Sequence, residues 1–127
     1  MNPKTALIIG AVVAAIFGLL LVFAPGPMLK GFGLQAPDAA VTLARDVGVT
    51  LLGLAVLNWL AREATGTALR GILIGNLVVQ VLEIVVNGYE IATGQLPSKA
   101  APGLIIHAVL GAIFLLALRR AGGRVAT

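Results

Sequence analysis

Cysteine is absent from this sequence, which excludes thiolate catalysis, disulfide exchange, iron–sulfur ligation and thiol-based zinc sites. Histidine occurs once, too few for a bis-histidine haem site within one chain, and no metal site is expected. The chain also lacks a phosphate-binding glycine loop, a nucleophile elbow and an HExxH pair. A conventional hydrolase or nucleotide enzyme is therefore not expected, and catalytic residues stay unassigned. Charge is scarce as well: 11% of the 127 residues are Asp, Glu, Lys or Arg. A soluble domain needs more polar residues than this to cover its surface.

What the chain has in abundance is aliphatic surface. Hydrophobic residues make up 59% of it, and the mean hydropathy is +1.04. The first long run, residues 5–24, TALIIGAVVAAIFGLLLVFA, carries no charge and is long enough to cover roughly 30 Å of hydrocarbon. It exceeds a signal-peptide core, and Pro25 makes a poor cleavage site, so it reads as a retained span. Pro37 followed by Asp38 opens a second helix, where the missing N–H costs nothing and the acid favours the dipole. Further runs predict spans over about 38–61, 69–93 and 102–118, the third stopped by Gly94 and Pro97 and the fourth ended by Arg119 and Arg120. Between the first two spans, the Pro- and Gly-rich stretch reads as a loop. The expectation is an all-α, antiparallel bundle of four transmembrane helices, one domain over residues 1–127.

The formal charge of +4 and pI near 10.4 do not indicate nucleic acid, because the basic residues fall at segment ends without interleaved aromatics. They read as topology signals. Lys4, Arg62, Arg70, Arg119, Arg120 and Arg124 lie on one side, against Lys30 and Lys99 on the other, which places both termini in the cytoplasm and suits the inner membrane of a prokaryote. Trp59 and Tyr89 fall near opposite interfaces, where amphipathic rings are preferred.

The clearest polar pattern is in the third span. Asn76, Gln80, Glu83, Asn87 and Glu90 recur at steps of four, three, four and three, forming one stripe on a helix. Glu83 lies near mid-membrane, where an ionised carboxylate costs at least ~2.5 kcal/mol unless it is paired, protonated or hydrated. At similar depth on neighbouring spans come Arg45, Asp46 and His107. These residues, with Asn87 and Glu90, are the ligand-binding or proton-handling candidates. Consecutive Arg45 and Asp46 point about 100° apart, so Arg45 is expected to meet Glu83 or Glu90, and Asp46 to meet His107. The alternative is that Arg45 and Asp46 sit at the headgroups, with Arg45 snorkelling to phosphates. For the amides, the bland reading is interhelical hydrogen bonding: Asn58, Asn76 and Gln80 are assigned to helix packing, Asn58 because its depth matches that of Asn76. Gly10, Ala14 and Gly18, the pair Gly71 and Gly75, and Gly103 and Gly111 flanking His107 read as close-packing faces, within the bundle or in a dimer.

The run FAPGPMLKGFGL, followed by ARDVGVTLLGLAVLNWLARE, resembles the uncharacterised small four-helix membrane proteins related to the DoxX superfamily, in which a proline-containing loop follows the first span and an Arg precedes a glycine-rich second one. The resemblance covers residues 23–63 and implies lipid-like ligands, since some relatives are associated with quinone-linked redox complexes and distant ones isomerise sterols. No catalytic residue carries over. The function expected is a small membrane protein binding a lipid-like or quinone-like amphiphile at the polar cluster. Alternatives are a proton-coupled carrier acting as a homodimer, a structural subunit of a larger membrane complex, and, ranked last, an enzyme using Glu83 and His107 as an acid–base pair. No cofactor is assigned, and a lipid or quinone is the expected bound molecule.

Overall fold

A computed structural model describes residues 1–122. The topology count above includes Arg124, which lies outside the described residues. The chain forms five α-helices: α1 (Pro3–Phe23), α2 (Pro25–Gly31), α3 (Asp38–Ala61), α4 (Gly66–Ala92) and α5 (Pro102–Gly122), with a 3₁₀ turn at Ser98–Ala100. Four of these, all but α2, are long and apolar enough to cross a membrane, as expected of a small multi-spanning membrane protein. Aliphatic side chains on their outward faces, among them Leu43, Leu60, Val85 and Ile105, are exposed, which suits hydrocarbon and not water.

The helix limits follow local chemistry. Asn2 caps α1, its side chain accepting from the Lys4 backbone N–H at 3.1 Å, and Pro3 stands in the first turn, where no N–H is needed. Pro37 precedes α3 in extended conformation and Asp38 opens it. At the end of α4, Gly94 takes φ +76, the left-handed conformation that ends helices and favours glycine.

Three limits differ from the sequence reading. The loop after α1 is partly helical: the prolines of α2 occupy its first turn, where a missing N–H breaks nothing, and the Met28 N–H donates to Ala24 O at 3.1 Å. Helix α4 starts three residues before the expected Leu69. Helix α5 runs past Arg119 and Arg120 to Gly122, because arginine ends an apolar span but is a good helix former.

Helix α1 packs chiefly on α3, and α4 chiefly on α5. The α1–α3 contact is close because it uses glycine on both sides. A Cβ on Gly18 would lie 3.0 Å from Gly48 O, and one on Gly48 would lie 2.9 Å from Gly18 O. Lys4 pairs with Glu63, while Gly10 lies beside Asn58, so residue numbers rise along α1 as they fall along α3. The two pairs are joined by a core of Ala6, Leu7, Leu73, Leu110, Phe114 and Ala117. This core lies toward the end of the molecule that carries Lys4 and Glu63. At the opposite end the two long connections meet, where a Cβ on Gly33 would sit 3.2 Å from Pro97 Cβ.

Candidate functional site

The polar residues of α4 make three kinds of contact. Nearest the core, Asn76 faces α3: Asn58 Nδ2 donates to Asn76 Oδ1 at 2.9 Å, and Asn76 Nδ2 donates to Asn58 Oδ1 at 2.7 Å and to Ile72 O at 2.9 Å. Both amides are buried, so each removes the penalty the other would suffer in an apolar interior. The Asn58 amide also passes close to Gly10, whose missing Cβ would lie 3.2 Å from Asn58 Nδ2.

One turn along, Gln80 turns to α5. Its Oε1 lies 2.8 Å from His107 Nδ1. In the tautomer whose Nδ1 carries the proton, that oxygen accepts from it and Nε2 is left as an acceptor. Gln80 is buried and His107 half-buried. Gly111 admits Gln80, whose Cβ would be 3.5 Å from a Cβ at that glycine, whereas a Cβ on Gly103 would meet no neighbouring element within 4 Å.

A further turn along, Glu83 Oε2 accepts from Asn87 Nδ2 at 2.8 Å. Asn87 is half-buried, and Glu83 is exposed. This is the i, i+4 spacing that brings two side chains together on one helix face. No other hydrogen bond or ion pair involves the Glu83 carboxylate among the described residues.

Why Glu83 is exposed follows from helix geometry. Asn76, Glu83 and Glu90 are seven residues apart, so their bearings drift by only about 20° per step. All three face the side on which Asn76 meets α3. Yet α3 and α4 touch only sparingly, and beyond Asn58 no α3 side chain bonds to α4 among the described residues. Seven residues before Asn58 stands Leu51, and Val47 lies one turn further. By helix geometry these two residues share the bearing of Asn58, so the α3 side that carries it is aliphatic there, while the matching side of α4 carries Glu83 and Glu90. Glu90 is half-buried on the same line, its backbone carbonyl accepting from Leu96 N at 3.0 Å.

Arg45 and Asp46 stand elsewhere. Both are exposed, and neither side chain forms a hydrogen bond or ion pair among the described residues. The face of α3 against α1 is marked by buried Ala44, Gly48 and Ala55; at about 100° per residue, Arg45 lies to one side of it, and Asp46 lies nearly opposite. Neither bearing is that of Asn58. The structure thus joins Gln80 with His107 and Glu83 with Asn87, and brings neither Arg45 nor Asp46 to them. Two shallow surface grooves, one lined by Ala11, Val12, Ala55 and Trp59, the other by Ile9, Val13, Ile106 and Val109, are wholly apolar and include none of the candidate residues.

Among the glycines, a Cβ on Gly71 or Gly75 would meet no neighbouring element within 4 Å, so the described fold does not use them as close-packing faces. Among the described glycines, Gly48, which the sequence reading did not single out, stands nearest to the backbone of another helix, a Cβ there falling 2.9 Å from Gly18 O. The signal was present, since Gly18 and Gly48 are brought level once α1 and α3 pair.

Comparison of the chain with protein-family models, with curated proteins and with solved structures finds no match. What stands is an α-helical bundle with four helices able to span a membrane.

Proposed function

We propose that this integral membrane protein binds a lipid-like or quinone-like amphiphile on the open side between α3 and α4. The observation that carries the reading is the unshared acceptor capacity of the Glu83 carboxylate, held by Asn87 alone among the described residues; His107, on neighbouring α5, would add Nε2 as a second acceptor when Nδ1 serves Gln80. In hydrocarbon such groups demand a partner. A polar head bearing hydroxyl or N–H donors supplies one, while Val47, Leu51 and the exposed Leu82 receive an apolar tail. The resemblance of residues 23–63 to DoxX-related proteins points to the same ligand class.

In this reading the four spans run antiparallel in the inner membrane of a prokaryote. The end carrying Lys4, Arg62 and Glu63 is cytoplasmic, supported by the excess of Lys and Arg there. The test is native mass spectrometry of the protein released from mild detergent. A bound amphiphile near one per chain, lost in Glu83→Gln and weakened in His107→Leu, is expected. Absence of any bound species, or retention equal in both variants, overturns the reading.

The solitary Glu83 carboxylate also favours a second reading, a proton-coupled carrier of small hydrophobic molecules working as a homodimer. Glu83→Gln protein in proteoliposomes that moves substrate and protons like wild type eliminates it.

A further inference from the structure

Helix α3 presents an exposed seam that the fold does not use. Thr42, Asp46, Val49, Gly53, Val56 and Leu60 follow one another at steps of four, three, four, three and four, and every one is exposed. Leu60 is 71% exposed, Val49 61% and Val56 58%, and a Cβ on Gly53 would meet no other helix within 4 Å. Lipid contact alone accounts for aliphatic residues in such a row. It does not account for an acid on the seam with a base beside it, both without side-chain partners among the described residues.

Arg45 and Asp46 cannot satisfy each other within one helix, being about 100° apart. A headgroup phosphate can take Arg45, but it repels Asp46. A second α3 resolves both. Steps of three and four define a heptad with Asp46, Gly53 and Leu60 at the a positions, Val49 and Val56 at d, and Arg45 at the g that precedes Asp46. In a parallel pair of helices, an a side chain packs into a hole bordered by the partner's preceding g residue. Each Asp46 then meets the other copy's Arg45, twice across the two-fold axis, as an isologous interface requires. Gly53, one heptad on, lets the helices approach.

We infer that a second copy of this chain docks in parallel on the exposed seam of α3, with Asp46 of each copy paired to Arg45 of the other. This goes beyond the amphiphile reading and is independent of it, because the seam faces away from the side on which Asn58 meets α4.

The chain has no cysteine, so single cysteines report the interface cleanly. In phosphatidylcholine proteoliposomes under mild oxidation, Val49→Cys and Val56→Cys are expected to give disulfide-linked dimer at least about tenfold faster than Ile105→Cys, an exposed control on α5, because only residues on the axis bring like Cβ atoms within bonding range. On the Val49→Cys background, Arg45→Asp is expected to abolish this excess, and Arg45→Asp with Asp46→Arg to restore it. Equal rates at Val49, Val56 and Ile105 overturn the interface whatever the charge variants do. An excess that survives Arg45→Asp, or a charge swap that folds yet fails to restore it, overturns the ion pair.

Discussion

Asn58 and Asn76 exchange hydrogen bonds through both amide groups, at 2.9 and 2.7 Å, in the buried heart of the bundle. This is the one side-chain hydrogen-bond link between α3 and α4 among the described residues.

Replacing either partner alone by leucine strands the other amide in an apolar interior. Asn58→Leu and Asn76→Leu are each expected to lower stability by about 1 kcal/mol. The double variant is expected to cost less than the two summed, since no orphan remains. A double-mutant cycle from reversible unfolding in mixed micelles measures the coupling, and strict additivity refutes it.

The glycines sort by what surrounds them. Gly48→Ala places a methyl 2.9 Å from the Gly18 carbonyl oxygen and 3.0 Å from Leu21 Cβ, and backbone cannot swing aside. A loss of roughly 1 to 3 kcal/mol is expected from such overpacking. Gly75→Ala, with open space around it, is expected to be neutral or slightly stabilising. Equal unfolding midpoints for the two variants contradict the packing.

Phe114 is 1% exposed and sits with Leu7 and Leu73 where α1, α4 and α5 converge. Phe114→Ala is expected to cost roughly 3 kcal/mol, through lost van der Waals contact around the cavity. The same change at exposed Leu43 serves as control, and its unfolding midpoint should stay near wild type.

Lys4 and Glu63 tie the start of α1 to the residues just after α3. The hydrogen bond from Lys4 holds the Glu63 carboxyl below its ordinary value of 4.5, against an opposing effect of desolvation, with the Lys4 and Arg62 charges adding to the lowering. A carboxyl lowered in the folded state contributes stability above its unfolded pKa and loses it as pH falls through the folded value. Both groups are solvent-exposed, so the effect is small and salt-sensitive. Glu63→Gln should flatten that acid limb and leave the neutral plateau nearly unchanged. An unaltered pH profile contradicts the tie.

Much of the helical layout is legible because its signals are local. Pro37 and Asp38 mark the start of α3, and Gly94 ends α4 by a conformation that needs no tertiary contact to explain it. The short helix α2 is hidden by its prolines, which look like loop residues unless both are assigned to one first turn. The site is harder. Glu83 and Asn87 share a helix, so their bond follows from spacing alone. Gln80 and His107 lie on different helices, and their meeting depends on how α4 and α5 rotate and slide against one another. For Arg45 and Asp46, hydropathy fixes a depth but no bearing. Only the glycine contact of α3 with α1 shows that their side of the helix is turned outward.

The arrangement of two close helix pairs bears on how the chain is made. The partners of each pair are successive spans joined by the two long connections, whereas the contacts between pairs chiefly link the first helix to the last. Helix α1 therefore has its glycine-lined partner as soon as α3 emerges, before α4 and α5 are synthesised. The Leu7, Leu73 and Phe114 core waits for the end of translation. Assembly in the membrane becomes a sequence of docking steps ordered by the ribosome, and the amide pair of Asn58 and Asn76 is the point at which the early half recognises the late one.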